Sequence, residues 1–213
     1  MSQFFYNQRE NLVNDAIEGA IIASPWNNLA RLESDPAIRI VVRQDWDKSN
    51  VAVISGGGAG HEPAHTGFVG KGMLTAAVCG DLFASPSVDA VLTAIQAVTG
   101  DAGCLLIVKN YTGDRLNFGL AAEKARRMGY KVEMVIVGDD ISLPDNKHPR
   151  GIAGTLLIHK VAGYFAENGY NLDTVTREAR LAMARVFSIG VALASCHLPA
   201  DPNDGVRHHS GQA

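Results

Sequence analysis

Apolar positions follow two rhythms along this chain. Leu12, Val13, Ala16, Ile17, Ala20 and Ile21 recur at spacings of one, four and five, which puts one apolar face on a helix. Ser24-Pro25 ends it, because proline cannot continue a helix and restricts the residue before it. Short β-branched runs then recur at Ile38–Val42, Val51–Ser55, Leu74–Val78, Cys104–Val108, Val132–Val137 and Ile189–Leu193. Several are continuously apolar, as expected of strands buried on both faces of a parallel sheet. Between them the period returns to helical over Ser87–Val98, Arg115–Met128, Ile152–Asn168 and Leu172–Phe187, with Gly129 and Gly169 as glycine stops.

Strands alternating with helices of this length predict an α/β fold, a layered arrangement with a mostly parallel sheet flanked by helices. Right-handed crossovers then place the loops that follow the strands on one edge of the sheet. Chemistry is expected there.

Composition narrows the class. Of 213 residues, 46% are apolar and 19% charged, which excludes wholesale disorder. Lys and Arg number 19 against 22 Asp and Glu, a net charge of -3 that leaves no electrostatic footprint for nucleic acid or anionic lipid. Cys79, Cys104 and Cys196 lie among apolar residues without metal-ligand spacing, and read as buried free thiols of a reducing compartment. No stretch offers the roughly 20 apolar residues of a membrane span, and MSQFFYNQREN has no signal core. The expectation is a soluble, cytoplasmic chain. From Pro199 the sequence turns polar, so 1–198 reads as the folded part and 199–213 as a linker or tail.

The most informative segment is Val51-Ala-Val-Ile-Ser-Gly-Gly-Gly-Ala-Gly-His-Glu-Pro63. A strand enters a loop with glycines at 56, 57, 58 and 60, and Pro63 suits a first helical turn. Glycines admit a ligand close to the backbone, and a following helix N-terminus would hold oxygen-rich groups. That same terminus would keep His61 neutral and available as a base. A plain strand–helix turn is the bland alternative. A dinucleotide fingerprint fits less well, since His61 or Pro63 falls where its third glycine belongs, although Asp81 sits about twenty residues on. No Gly-Lys-Ser/Thr follows, so a Walker loop is excluded.

Lys109-Asn-Tyr-Thr-Gly-Asp114 leaves the next buried strand toward the same edge. Lys109 offers an ammonium to a hydroxyl or carbonyl. Asp114 precedes the expected helix, so a helix cap and a functional carboxylate both remain open for it. Asp139-Asp140 reads as a turn or cap, and His208-His209 as a solvated pair; neither is taken as a metal site.

SGGGAGHEP at 55–63, CGDLFASPS at 79–87, LLIVKNYTGDRLNF at 105–118, RGIAGTLLIHK at 150–160 and SIGVALASCHLP at 188–199 together resemble the ketone-binding K subunit of dihydroxyacetone (glycerone) kinases. The pattern looks closest to bacterial ATP-dependent enzymes that join K and nucleotide-binding L domains in one polypeptide. The resemblance implies phosphoryl transfer from ATP to a terminal hydroxyl of dihydroxyacetone. It places the substrate against Gly58, Ala59, Gly60, His61, Lys109 and Asp114, with His61 and Asp114 as the acid/base pair. ATP and Mg2+ would sit on a separate L domain and not on this chain, and the family's dimers suggest self-association. Ala59 stands where the family commonly has serine.

The family also holds its ketone as a hemiaminal on a histidine in a GIHGEPG-type segment, and no histidine here has that context. The resemblance therefore implies a truncated chain, inactive alone, which forms no stoichiometric adduct with dihydroxyacetone. A non-catalytic ketone-binding regulatory module is the second reading and a dinucleotide-binding protein the third.

Overall fold

A computed structural model describes residues 6–32 and 37–193. The strands are β1 (Leu29–Arg31), β2 (Arg39–Arg43), β3 (Ala52–Ala59), β4 (Ala76–Leu82), β5 (Cys104–Lys109) and β6 (Val132–Val137). The helices are α1 (Leu12–Ile22), α2 (Val88–Val98), α3 (Thr112–Arg127), α4 (Thr155–Glu167) and α5 (Leu172–Met183). The strands form one sheet in the order β1-β2-β4-β3-β5-β6. The four strands from β3 onward are mutually parallel, while β1 and β2 run antiparallel at one side. This is the α/β layered fold with a mostly parallel sheet that the two rhythms predict.

Side-chain alternation explains the two layers. Val53, Leu105, Ile107, Val135 and Val137 face α1, α4 and α5. Ala52, Ile54, Ala76, Val78, Leu106 and Val108 face α2 and α3. A strand buried on both sides must be apolar at every position, hence the continuous run Cys104–Val108. Leu105, Leu106 and Ile107 are each fully buried, and burial of such a side chain contributes roughly 1.5–3 kcal/mol. Helix ends follow local chemistry. Ser87 accepts from the Ala90 amide at 3.1 Å and Asn171 from that of Thr174 at 3.0 Å. Gly129 and Gly169 close α3 and α4 with φ of +95° and +75°, as their stop positions require.

One expected strand is corrected, and one short strand was not expected. Ile189–Leu193 forms no strand; Ser188 makes a single bridge to Asp140, and Ile189, Val191 and Leu193 are exposed. β-branched residues favour pleated backbone only where a partner edge completes the ladder. The three-residue β1 had no periodicity long enough to betray it. Cys79 and Cys104 are free, as expected; burial pushes the Cys79 thiol up and that of Cys104 to about 11. Cys196, His208, His209 and the proposed tail lie outside the described residues.

Asp139 follows β6 as a turn-and-cap residue. Its carboxylate, 1% exposed, accepts from the Ile152 amide at 2.8 Å and from the Gly154 amide at 2.8 Å. These bonds hold the entry to α4, so Asp139→Ala leaves the Ile152 amide unpaired and the Gly154 amide with only the Ser188 hydroxyl, 3.1 Å away. We expect a loss of about 2 kcal/mol, since an orphaned buried group costs roughly 1–3 kcal/mol. Chemical denaturation measures it, and a loss under ~0.5 kcal/mol would reject this anchoring role. Among the described residues, no helix is long and apolar enough to cross a membrane.

Candidate active site

The chain leaves β3 toward the α1/α4 face, through a 3-10 turn at Thr66–Phe68. It leaves β4 and β5 toward the opposite face, through α2 and α3. β3 and its neighbour β5 therefore send their connections to opposite sides. In open α/β sheets that switch point opens a crevice beyond the carboxyl ends of the strands.

A cavity of about 200 Å³ lies there, lined by Gly57, Gly58, His61, His65, Phe83, Ser85, Lys109, Tyr111 and Asp114. That is small beside the roughly 300–1,000 Å³ of pockets for drug-sized ligands, and suits a molecule of few atoms. Gly58, His61, Lys109 and Asp114 meet in it, as their placement on one sheet edge predicts. Ala59 and Gly60 do not line it. Ala59 faces an adjoining apolar cavity of about 430 Å³, and Gly60 turns under the Phe83 ring with φ of +93°.

The glycines serve a different geometry from the loop expected. β3 continues through Gly56, Gly57 and Gly58 to Ala59, with a register shift between Gly57 and Ala59. A Cβ on Gly56 would run into the Val78 carbonyl oxygen, and one on Gly58 would come 2.7 Å from the Ala84 amide nitrogen. These two are needed for close approach of β4 and its following loop. Gly57 is different. A Cβ there would lie 3.5 Å from His65 Nε2 and 3.7 Å from Asp114 Oδ2, in ordinary contact and between two polar groups.

No α-helix follows the glycine run; residues 61–65 form turns that lead into the 3-10 turn. The helix-terminus argument for His61 is thereby corrected, and the dinucleotide reading loses the helix N-terminus it needs. His61 is instead oriented by the Gly58 carbonyl, 3.0 Å from Nδ1. A carbonyl only accepts, so Nδ1 donates, and in the neutral ring Nε2 keeps its lone pair. The ring meets Phe83 edge-on at 5.8 Å.

Asp114 is not a cap either. α3 begins at Thr112 with Tyr111 as its N-cap, which places Asp114 in the first turn. It is 5% exposed, and its Oδ1 is buried without a hydrogen-bond partner among the described residues. Burial pushes the carboxyl up, while a hydrogen bond from Ser85 and the charges of Lys109 and His61 pull it partly back. Burial lowers the Lys109 ammonium, and the carboxylates of Asp114 and Asp139 oppose that. An unpaired buried acceptor beside a desolvated cation and a free imidazole lone pair is a site prepared for hydroxyl and carbonyl groups.

Gly57, His65, Phe83, Ser85 and Tyr111 were not singled out by sequence reasoning. His65 stands four residues after His61 in HEPAH, and Ser85 and Tyr111 lie within the quoted motifs. Those motifs were the only available signal. Among the described residues, no group of three His, Cys, Asp or Glu side chains could hold a metal ion.

Comparison with known proteins agrees over the whole fold. The Dak1 domain family matches residues 12–212. Dihydroxyacetone kinase of Citrobacter freundii is 81% identical over 213 residues, all of this chain and 39% of that enzyme's length. The crystal structure of its native form superposes with a TM-score of 0.94 over 99% of this chain and 39% of that one; the enzyme has also been solved in complex with AMP-PNP and Mg2+. A dihydroxyacetone kinase operon co-activator shares 38% identity and a TM-score of 0.72 over 80% of this chain and 51% of its own. The chain thus spans about two fifths of the length of the Citrobacter freundii kinase. With more than nine tenths of its residues matched by the family model, this chain belongs to the Dak1 domain family.

Proposed function

We propose that this chain supplies the substrate-binding part of a dihydroxyacetone kinase, which transfers phosphate from ATP to a terminal hydroxyl of the ketone. The observation that carries this is the convergence of His61, Lys109 and Asp114 on one small cavity, with Asp114 Oδ1 unpaired. Lys109 holds a carbonyl or hydroxyl oxygen, and Asp114 accepts a substrate hydroxyl. His61, its Nδ1 donating to the Gly58 carbonyl, takes the proton of the attacking hydroxyl on Nε2. Phosphoryl transfer needs positioning and charge stabilisation more than covalent help, so holding the acceptor and managing its proton is the part assigned here.

Among the described residues, the glycine run of β3 opens onto no α-helix N-terminus of the kind that holds nucleotide phosphates. We assign ATP and Mg2+ to a separate L domain, which is then this chain's obligatory partner, and place the protein in the cytoplasm.

A second reading, a ketone-binding regulatory module, is favoured by the likeness to an operon co-activator. The two separate experimentally. Alone, the chain is expected to form no dihydroxyacetone phosphate. With an added L subunit, ATP and Mg2+, phosphate transfer supports the kinase, and ketone binding without turnover supports the module.

A further inference from the structure

One wall of the cavity is made by a residue outside the acid/base set. His65 is 5% exposed, and behind it His159 is fully buried. The His65 Nδ1 lies 3.3 Å from His159 Nε2 and 3.5 Å from the Ser55 hydroxyl. Ser55 Oγ is 2.6 Å from the Ile107 carbonyl, which can only accept, so the hydroxyl donates there. It turns lone pairs toward His65. A proton on His65 Nδ1 serves both long contacts, to Ser55 Oγ and to a lone pair on His159 Nε2. Burial disfavours the charged form of both rings: it holds His65 well below the ordinary histidine range and His159 at about 3. A neutral ring protonated on Nδ1 must present a bare Nε2. That atom faces the space over Gly57, where a single position is 3.5 Å from it and 3.7 Å from Asp114 Oδ2.

His159 has the matching signature. In that arrangement its Nε2 accepts and its proton is on Nδ1, which is buried without a partner among the described residues. An apolar side chain would fill the same volume without an orphaned donor, so an unsatisfied group here calls for an explanation. Holding the tautomer of His65 is one.

We propose that His65 is a further ligand-contacting residue of this site, accepting a ligand hydroxyl at Nε2 over Gly57, with His159 as the positioning residue that keeps that nitrogen unprotonated. The inference rests on the polyhydroxy-ketone reading of the cavity. It makes His65 a specificity determinant: it rewards a ketone that carries hydroxyls over one that lacks them, because a buried acceptor left unpaired penalises the poorer ligand.

The test is a long-range proton–nitrogen NMR spectrum of this chain labelled at histidine, titrated with dihydroxyacetone and separately with acetone. In the free chain, His65 Nε2 is expected to resonate as an unprotonated ring nitrogen. Dihydroxyacetone should shift it toward the hydrogen-bonded range together with His61, and acetone should leave it in place. If His61 moves and His65 does not, this inference falls while the site reading stands. If neither moves, both fall together. A protonated Nε2 in the free chain also overturns it. Replacing His159 by Gln should mix the His65 tautomers and raise half-saturation by dihydroxyacetone about tenfold, the equivalent of one hydrogen bond. Unchanged tautomer and affinity would remove His159 from the argument.

Discussion

Asp114→Asn, introduced into a full-length dihydroxyacetone kinase carrying this site, is expected to lower turnover by about 10²–10⁴-fold while the protein stays folded. The carboxyl is buried at the floor of the cavity with one oxygen unpaired, so it contributes little to the fold and is available to a ligand. An amide keeps the shape and loses the basicity. Stability gives an independent readout with a definite sign. Burial raises the folded-state pKa of Asp114 above its ordinary value of 3.8. Below that value both states are protonated, and the group has no effect. As pH rises from 3.8 through the raised folded value, the native state must carry a charge it disfavours, and stability is lost. A neutral amide at this position escapes the penalty. The variant should melt no lower than the parent at pH 7, with the difference shrinking toward pH 3. Unchanged turnover with a lower melting temperature would return Asp114 to a purely structural role.

A pair of glycine substitutions should separate ligand space from packing space. Gly57→Ala places a methyl at 3.5–3.8 Å from His65 and Asp114, which is ordinary contact. The fold should tolerate it, with stability changing by less than about 1 kcal/mol. The methyl occupies the position assigned to a ligand hydroxyl, so dihydroxyacetone binding should fall at least about tenfold. Gly58→Ala does the reverse. Its Cβ meets the Phe83–Ala84 backbone at 2.7–3.0 Å, and backbone cannot swing aside as a side-chain end can. That variant should lose about 1–3 kcal/mol, whatever its effect on ligand. Thermal melts with ligand titrations on both proteins decide the matter. Equal destabilisation of the two would mean that Gly57 is also there for packing.

The site was half legible in advance, and the division has a physical cause. Gly58, His61, Lys109 and Asp114 stand at or just beyond the carboxyl ends of strands whose apolar runs are unmistakable, and parallel topology gathers such positions on one edge. His65 and Ser85 have no such marker. They reach the cavity because the turn after β3 and the loop after β4 fold back over Gly57 and Gly58, a path set by contacts distant in sequence. Asp114 was placed correctly at the edge but with its competing explanation alive. Only the helix start at Thr112, earlier than the periodicity suggested, removes the capping role.

By itself, the sequence determined what depends on local chemistry and period: the apolar strands, the glycine-stopped helices, the α/β class, and the motifs that mark the family. Tertiary structure decided what depends on partners. It left Ile189–Leu193 without an edge to pair with. It drew Gly56, Gly57 and Gly58 into β3, where close approach of the Val78 carbonyl and the Phe83–Ala84 backbone leaves no room for side chains at two of the three. It also brought His65 edge-on to His159 across 94 residues of chain, which sets the hydrogen-bonding character of the cavity wall. A protonation state buried between two rings is a property of neighbours, and no single position in the sequence carries it.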